Sequence, residues 1–220
     1  MNNKTIVFFD LDGTITPRDT YKDMLLYGLI KRPWRALLVF LSVYDLLLYK
    51  LGKNTNTFVK ENLLRRIFIG ISLKDAQSMA VSYAGVLLRY GVKKQAIKTL
   101  DDHKKKGDRI VLVSASFDFY VNEIATRLGI NEVIATKAQI EKGCLTGSLD
   151  GENCYGEQKI VRIKQLVNLD DFTNIITYTD HHSDLPLINI ATTAYAVCPN
   201  QRLKEHMDNL DLEKNVLVWS

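Results

Sequence analysis

The sequence is poor in cysteine, and this scarcity excludes two classes of protein. Its three cysteines are an odd number and form no CxxC pair. Small disulfide-linked scaffolds and structural zinc sites need more cysteines at closer and more regular spacing. The composition therefore favours reduced thiols, and we expect a cytoplasmic protein.

The N-terminus lacks the features of a secretory signal. The stretch MNNKTIVFFD has one lysine before a short apolar run, and that run ends at Asp10. A signal peptide has a longer apolar region followed by small residues at a cleavage site. No signal peptide is predicted, which agrees with the expected cytoplasmic location.

The excess of positive charge is also small. The chain carries 29 Lys and Arg against 25 Asp and Glu, giving a net charge of +4 and an isoelectric point near 8.8. These charges are spread along the chain without a nucleic-acid-binding motif, so we expect no nucleic-acid partner. An anionic small molecule or an acidic membrane surface suits this balance better. The proportions of 46% hydrophobic and 25% charged residues are those of a globular protein.

One long apolar segment stands out, WRALLVFLSVYDLLLYKL at residues 34–51. Arg35, Asp45 and Lys50 interrupt it, so a transmembrane span is not expected. We favour a helix that packs against the rest of the protein, and the alternative is a helix on a lipid surface. One helix face would carry the apolar residues that recur at spacings of three and four: Leu37, Leu41, Tyr44, Leu48 and Leu51.

Outside this segment, strand-like and helix-like stretches alternate along the chain. Helices are predicted at residues 93–106 and 118–128, each followed by a glycine that suits a helix C-terminus. Apolar strands separated by helices are typical of a parallel sheet covered on both faces, so we expect an α/β fold with a Rossmann-like core. The predicted strands are residues 5–9, 109–115, 132–136, 174–180 and 194–198.

Two segments depart from this alternation. Residues 137–153, KAQIEKGCLTGSLDGEN, alternate in polarity and contain three glycines, which predicts a β-hairpin. Residues 18–91 carry no strong strand signal and have the pattern of helices. We therefore predict an all-helical cap at residues 18–91, inserted after the first strand, and a core formed by residues 1–17 and 92–220.

Polar side chains follow the predicted strands at their carboxyl ends, where parallel sheets bind ligands. The first strand ends in Asp10 and Asp12, and Lys159 begins a helix after the hairpin. Carboxylates at one edge repel each other unless a cation lies between them, and Mg²⁺ takes oxygen ligands together with substrate phosphate. The other polar residues at these strand ends are Ser114, Ser116, Asp180 and Asp184.

This set of residues fits phosphoryl transfer. Asp10 is expected to attack phosphorus and form an aspartyl-phosphate. Asp12 would protonate the leaving oxygen and later activate water. Ser114 and Lys159 would hold the phosphate oxygens and offset their charge. The residues themselves therefore predict phosphoryl transfer assisted by Mg²⁺.

The motifs and their order resemble the haloacid dehalogenase-like hydrolases, in the branch similar to phosphoserine phosphatases. The four motifs are DLDGT after an apolar strand, LVSAS at a second strand end, the lysine of GEQK, and YTDHHSDLPL. The helical insert lies between the first two motifs, where that branch carries its cap. The resemblance covers nearly the whole chain and implies a phosphoric monoester hydrolase with Mg²⁺ as cofactor.

The resemblance also implies a metal site. Asp10, the backbone carbonyl of Asp12, and Asp180 would bind Mg²⁺. Asp184 would support both the metal and Lys159. The catalytic set would then be Asp10, Asp12, Ser114 and Lys159.

Substrate-binding residues follow from the same comparison. Asp19 falls where phosphoserine phosphatases carry a glutamate that reads the substrate amine. Arg65 falls near their carboxylate-binding arginine, and Arg66 competes for that position. Ser116, beside the second motif, is also expected to bind substrate.

The sequence departs from phosphoserine phosphatases in two motifs. Ala115 and Ser116 stand where those enzymes have two glycines, and Ser183 stands where they have asparagine. His181 and His182 occupy positions where small residues are common. We interpret the two histidines as residues that shape the entrance of the site rather than as metal ligands.

Alternative functions stay open at this point. A small phosphoserine-like ester is the favoured substrate. A phospholipid head group such as phosphatidylglycerophosphate is the alternative, with peripheral membrane contact through the cap. The apolar segment at residues 34–51 and the basic Lys31, Arg32 and Arg35 favour it. A phosphotransferase and a non-catalytic binding protein of the same fold are further alternatives, although the complete motif set argues against the latter.

Overall fold

The structure is a computed structural model that describes residues 4–207 and 213–219, and a parallel sheet forms its centre. Within those ranges, six strands pair in parallel and two more form an antiparallel hairpin. The strands are β1 (Thr5–Phe9), β2 (Arg109–Phe117), β3 (Glu132–Thr136), β4 (Ala138–Glu141), β5 (Cys144–Leu149), β6 (Asn174–Thr179), β7 (Thr193–Val197) and β8 (Glu213–Leu217). The order in the sheet is β3-β2-β1-β6-β7-β8, with β4 and β5 forming the hairpin.

Helices cover the sheet and fill the region between β1 and β2. That region contains α1 (Thr20–Lys31), α2 (Ala36–Val39), α3 (Leu41–Lys50), α4 (Asn56–Phe68) and α5 (Leu73–Tyr90). The helices that follow are α6 (Lys94–Lys106), α7 (Asp118–Arg127), α8 (Glu157–Leu166), α9 (Leu185–Asn189) and α10 (Gln201–Met207). Short 3-10 turns occupy Pro33–Arg35, Leu169–Asp171 and His182–Asp184.

Strand β1 is apolar throughout because both faces of the sheet are covered. Ile6 and Phe8 point into one hydrophobic cluster, which also contains Ile160 of α8. Val7 and Phe9 point into a second and larger cluster on the other face. Alternate side chains of a strand point to opposite faces, so a strand buried on both sides is apolar at every position.

The predicted α/β fold class is confirmed. The first and third predicted strands have the bounds of β1 and β3, and the predicted hairpin region contains β4 and β5. The edge strand β8 is an addition, because its sequence EKNVL is only partly apolar and carries no clear strand signal.

The helices at residues 20–90 pack closely on the rest of the chain. The rings of Tyr83 in α5 and Tyr120 in α7 have centroids 6.1 Å apart in an edge-to-face arrangement. Ile71, just before α5, accepts a backbone hydrogen bond of 2.9 Å from Leu145 in β5. One hydrophobic cluster therefore runs from these helices to the sheet.

The segment at residues 34–51 departs from the packed helix that the sequence analysis favours. Leu37, Phe40 and Tyr44 are 77%, 77% and 64% exposed, whereas Ser42 and Asp45 are buried. The physical reason is a polar contact with α4, since α3 turns its polar stripe inward and its apolar residues outward. Within the described ranges, no helix has the length and apolar character needed to cross a bilayer.

Candidate active site

A cavity of about 500 Å³ lies at the carboxyl ends of β1, β2 and β6. Helices α1 and α4 contribute to its wall through Asp19, Tyr21, Asn56 and Lys60. Seven residues that the sequence analysis assigns to the site line this cavity: Asp10, Asp12, Asp19, Ser116, Lys159, Asp180 and Asp184.

Asp10 and Lys159 form a buried ion pair at the floor of the cavity. Asp10 directly follows β1, and its backbone N–H continues the strand pairing by donating to the Tyr178 carbonyl at 2.9 Å. Lys159, in the first turn of α8, places its Nζ 2.7 Å from Asp10 Oδ1 and 2.7 Å from Asp184 Oδ2. Only 2% of Lys159 is exposed, so one ammonium is held rigidly between two carboxylates.

The charges around Lys159 keep its side chain positive. Burial by itself lowers the pKa of Lys159, but the negative charges of Asp10 and Asp184 outweigh it and raise the pKa above its ordinary value. A lysine that stays charged at every physiological pH suits a group that neutralises phosphate oxygens.

Asp12 is held in a different way, by hydrogen-bond donors rather than by a cation. Its Oδ1 accepts from the backbone N–H of Thr20, the first residue of α1, at 2.5 Å. Its Oδ2 accepts from Ser116 Oγ at 2.7 Å. Burial raises the pKa of Asp12, and the hydrogen bonds from Thr20 and Ser116 oppose that rise. A carboxyl with a raised pKa is suited to give and take a proton.

Asp180 and Asp184 extend the acidic floor beyond β6. Asp184 is buried, and its Oδ2 accepts from Thr179 Oγ1 at 2.7 Å as well as from Lys159. Its Oδ1 is buried without a hydrogen-bond partner. Burial, followed by the charge of Asp184, raises the pKa of Asp180 to about 6.

Gly13 brings the backbone close to this acidic floor. Its φ angle is +80°, and a Cβ at this position would overlap the Asp180 carboxylate. Any other residue would therefore be strained and would also displace Asp180. The glycine of the DLDGT motif thus permits close approach between the chain after β1 and the chain after β6.

The acidic residues carry more negative charge than the neighbouring lysine offsets. Burial raises the pKa of Asp10 well above its ordinary value, Lys159 opposes this rise, and Asp184, Asp180 and Asp12 add to it. A cation among these carboxylates would restore the charge on Asp10.

The residues present fit Mg²⁺. The described residues contain no group of three or more His, Cys, Asp or Glu arranged to hold a metal. Mg²⁺ nevertheless binds through one or two carboxylates and completes its shell with water and substrate oxygens. Oxygen donors of that kind are available from Asp10, Asp180 and the carbonyl of Asp12, and Asp184, whose buried Oδ1 has no hydrogen-bond partner, lines the same cavity.

Two predicted residues do not line the cavity. Ser114 is fully buried, accepts from the backbone N–H of Ser116 at 3.0 Å, and lies 3.4 Å from Asp12 Oδ2. Arg65 is exposed on α4 and donates to Ser148 Oγ of β5 at 3.1 Å. The competing Arg66 is also turned away, because it pairs with Asp45 at 2.5 Å. Neither arginine reaches the cavity.

Asp19 lines the cavity and also caps α1. Its Oδ1 accepts from the backbone N–H groups of Tyr21 at 3.0 Å and Lys22 at 3.3 Å. Its Oδ2 pairs with the exposed Lys22 ammonium at 3.2 Å. Capping a helix is a complete structural role for an aspartate, so its position does not by itself require substrate contact.

Lys60 of α4 is the cation that the sequence analysis missed. It is 6% exposed, lines the cavity, and donates to Asn153 Oδ1 at 2.8 Å and to the carbonyl of Ala115. None of the ion pairs between described residues includes it. Burial lowers the pKa of Lys60 to about 8, although the charge of Asp12 raises it in part.

The sequence does contain a signal for Lys60. It lies at helical spacing from Leu64 and Ile67, which are buried in α4, so a lysine stands on the apolar face of that helix. Buried lysines are rare unless they are paired or functional. A lysine on an apolar helix face is therefore a candidate site residue.

The two histidines lie at the edge of the site. His181 lines the cavity, and its Nδ1 is 2.9 Å from Ser183 Oγ. His182 Nδ1 is 3.0 Å from Asn200 Nδ2, away from the acidic floor. Each ring therefore has a local hydrogen-bond partner in its own loop or in the next one.

Comparison with known proteins identifies the family. The model of the haloacid dehalogenase-like hydrolases matches residues 7–189. The chain belongs to this family. The matched region begins in β1 and ends with α9, so it includes every residue of the acidic floor, and the resemblance drawn from the sequence motifs is confirmed.

Proteins similar to this chain over most of its length include a phosphoserine phosphatase. The chain is 28% identical to protein CicA of Caulobacter vibrioides over 84% of this chain and 82% of that protein. It is 25% identical to a phosphoserine phosphatase of Methanocaldococcus jannaschii over 93% of this chain and 90% of that enzyme. A solved structure of unknown function from Bordetella pertussis Tohama I has a TM-score of 0.87 at 25% identity, covering 98% of this chain and 99% of that one.

Proposed function

We propose that this protein is a Mg²⁺-dependent phosphatase that hydrolyses a small phosphomonoester through an aspartyl-phosphate on Asp10. The observation that carries the proposal is the convergence of Asp10, Asp12, Lys159 and Asp180 on one cavity. Asp10 is in an ion pair with Lys159, and Lys159 also pairs with Asp184. Asp12 accepts hydrogen bonds from neutral donors such as Ser116. The carboxylate of Asp180 lies close to the backbone at Gly13.

The first chemical step would be attack by an Asp10 carboxylate oxygen on phosphorus. The bond between phosphorus and the ester oxygen breaks, and Asp12 gives its proton to the leaving oxygen. Lys159 offsets the charge of the phosphate oxygens during this step. The products are the free alcohol and a phosphoryl group on Asp10.

The second step would regenerate the enzyme. Asp12, now ionised, takes a proton from water, and the oxygen of that water attacks the phosphorus of the aspartyl-phosphate. The bond between phosphorus and the Asp10 oxygen breaks, so inorganic phosphate leaves and the carboxylate is restored. Asp10, Asp180 and the carbonyl of Asp12 would hold Mg²⁺, which supplies positive charge that keeps Asp10 ionised and draws the phosphate to it.

Lys60 supports a substrate with a second anionic group. A buried ammonium without a carboxylate partner is costly, and an anion delivered by the substrate would compensate it. A phosphoserine-like molecule carries such a group in its carboxylate. Lys60 thus takes the place in this proposal that the sequence analysis gave to Arg65.

Residues 18–91 would act as a cap over a core of residues 1–17 and 92–220. Asp19, Tyr21 and Lys60 reach the cavity from this region and would close over bound substrate. Closure would exclude water during the first step and would select the alcohol part of the ester.

The test is hydrolysis of p-nitrophenyl phosphate by the wild type and by Asp10→Asn, with and without Mg²⁺. We expect activity that requires Mg²⁺ and is lost in the variant. A rise in melting temperature with beryllofluoride, a phosphoryl mimic, is expected for the wild type only. Metal-independent activity that is equal in both proteins, with no beryllofluoride effect, would contradict the proposal.

A phospholipid head-group phosphatase is the second candidate, favoured by the exposed apolar residues of α2 and α3. The two candidates differ in their substrate and not in their mechanism. Phosphate release from phosphoserine and from phosphatidylglycerophosphate in mixed micelles would separate them, with phosphoserine expected to be the better substrate. Cytoplasmic location remains part of the proposal, supported by the free state of the three cysteines.

A further inference from the structure

An unusually apolar surface covers the outer side of helices α1 to α3. Thirteen of the 24 exposed large apolar side chains in the described residues lie within residues 26–51. We call this set the outer cap surface: Leu26, Ile30, Trp34, Leu37, Leu38, Phe40, Leu41, Val43, Tyr44, Leu46, Leu47, Tyr49 and Leu51. Apolar patches of this kind on a monomer are typical of contact with a membrane or another protein.

A polar contact fixes the orientation of the outer cap surface. Asp45 in α3 accepts from Arg66 at 2.5 Å and from Asn62 at 3.2 Å, both on α4. Arg66 also donates to Ser42 at 2.6 Å. A surface helix normally turns its apolar side to the core. Here charged and hydroxyl groups face inward, and the apolar side faces outward.

The charges around the outer cap surface are almost all positive. Residues 26–53 contain five basic residues and one acidic residue, Asp45, which is buried against Arg66. Lys31, Lys50 and Lys53 are exposed. Arg32 and Arg35 donate to backbone carbonyls at the end of α4. The exposed charge of this region is therefore complementary to an anionic surface.

The lengths of helices α2 and α3 favour contact with the surface of a bilayer over a helix that spans it. Helix α3 has 10 residues and α2 has four, which is far short of the length needed to cross a bilayer. Trp34, Tyr44 and Tyr49 are exposed among the aliphatic residues. Aromatic side chains with a polar atom are enriched at the boundary between lipid and water.

A second copy of the chain fits this surface less well. Two outer cap surfaces facing each other would bring the same exposed lysines together without an exposed acid to pair with them. Like charges across an interface oppose association. Anionic lipid head groups would pair with those lysines while the apolar side chains enter the acyl region.

We propose that the outer cap surface docks this protein on an anionic lipid bilayer as a peripheral membrane protein. The proposal concerns the location of the enzyme and holds whichever phosphate ester it hydrolyses. Helix α4 contacts the docking helices through Asn62 and Arg66, and it contacts the cavity through Asn56 and Lys60. The cavity would therefore lie within one helix of the lipid.

Vesicle flotation tests the proposal. The probes are vesicles of phosphatidylcholine alone and vesicles of equal parts phosphatidylcholine and phosphatidylglycerol. The wild type should float with the anionic vesicles, and high salt should weaken that binding. The substitution Phe40→Asp should lower binding by more than about tenfold, because it removes buried apolar area and adds a repelled charge.

A matched control separates docking from a general loss of apolar surface. Val86 in α5 is 57% exposed and lies outside the outer cap surface, so Val86→Asp should bind like the wild type. The single substitutions Lys50→Glu and Lys53→Glu should each lower binding to the anionic vesicles about fivefold, because each replaces an attracted charge with a repelled one. All variants should keep wild-type activity on p-nitrophenyl phosphate and a wild-type melting temperature, since these residues lie outside the cavity.

Two results would overturn the proposal. One is a wild type that stays unbound with both kinds of vesicle. The other is a protein that light scattering shows to be a dimer, which Phe40→Asp converts to a monomer without changing its lipid binding. Either result leaves the catalytic proposal standing, because activity is measured without vesicles.

Discussion

Helix α4 separates two regions that reverse the usual distribution of polar and apolar groups. On one side, the cavity contains two buried carboxylates, Asp10 and Asp184, and two buried lysines, Lys60 and Lys159. On the other side, the outer cap surface exposes large apolar side chains such as Leu37 and Phe40. Buried charge and exposed apolar area are both unfavourable in an isolated protein. Each reversal is the basis of one proposal: an anionic substrate in the cavity, and an anionic lipid surface against the outer cap surface.

The two regions differ in how their side chains are held. In the cavity, Lys159 lies between two carboxylates, and Asp12 is bound by Thr20 and Ser116. Beneath the outer cap surface, the inward polar stripe of α3 is held by the pair of Asp45 and Arg66. Side chains in the cavity are therefore held by several polar partners, whereas those of the outer cap surface are exposed. Substitutions should consequently have steep effects in the first region and graded effects in the second.

After the loss of activity in Asp10→Asn, the largest effect is expected at Asp12. Asp12→Asn keeps an acceptor for the Thr20 N–H but cannot carry the proton, so kcat should fall roughly 10²- to 10⁴-fold. Asp19→Asn is the matched control, because Asp19 lines the same cavity but caps α1. Steady-state kinetics with p-nitrophenyl phosphate would measure both. Equal losses in the two variants would contradict the role given to Asp12.

A stability measurement tests the polar contact that turns the outer cap surface outward. Asp45→Leu would leave the Arg66 guanidinium without its partner, and the free energy of unfolding should fall by about 3 kcal/mol. Adding Arg66→Met should restore most of that loss, because both charges are then removed together. Urea unfolding would measure the three proteins. An additive loss in the double variant would show that the pair does not hold the two helices.

Lys60 allows a test of substrate selection. Lys60→Met should raise KM roughly 10- to 100-fold for a phosphate ester with a second anionic group. The same variant should leave p-nitrophenyl phosphate hydrolysis nearly unchanged, because that ester has no second anion. Lys22→Met is the control, since Lys22 also lines the cavity but is exposed. A uniform loss on both esters would assign Lys60 to structure alone.

The smallest expected effect is on the pH dependence of kcat/KM. Burial lowers the pKa of Lys60 to about 8, so the protonated form that binds an anion is lost as pH rises through that value. For the doubly anionic ester, kcat/KM should then fall several-fold over the next pH unit. In Lys60→Met this fall should be absent. A profile that is the same in both proteins would show that another group titrates there.

The sequence predicts the fold class, and it predicts that several polar residues meet at one edge of the sheet, because both depend on topology. An apolar run that ends in Asp10 places the carboxylate at the end of a buried parallel strand. The carboxyl ends of such strands meet at one edge, so Asp12, Ser116 and Asp180 come together. The short hairpin β4–β5 then leads into α8, which brings Lys159 to the same edge.

The sequence does not predict that the apolar face of this segment is exposed, and the reason is physical. The period of Leu37, Leu41 and Tyr44 shows that one helix face is apolar, but not which face packs against a neighbour. The contact with α4 is decided by Asp45 and Arg66, 21 positions apart in the chain. Pairing between helices joined by a loop is a tertiary property, and local pattern does not encode it.

Arg65 and Lys60 illustrate the same limit within one helix. Both are cations on α4, but they lie on different faces, and only the face that carries Lys60 meets the cavity. The family resemblance points to Arg65, which lies five positions from Lys60 on the same helix. Burial in the folded structure selects the residue.

In the proposed reaction, Asp10 carries the phosphoryl group. The most direct measurement is acid quenching of Asp12→Asn during turnover with Mg²⁺ and a radiolabelled phosphate ester, followed by peptide mapping. The ester is labelled p-nitrophenyl phosphate, because its phenolate leaves without the proton that Asp12 would supply in the first step. Loss of Asp12 should then slow mainly the hydrolysis of the aspartyl-phosphate, so the labelled intermediate should accumulate. We expect label on the peptide that contains Asp10 and none after Asp10→Asn is added. Turnover without label on any aspartate, or label that persists without Asp10, would contradict it.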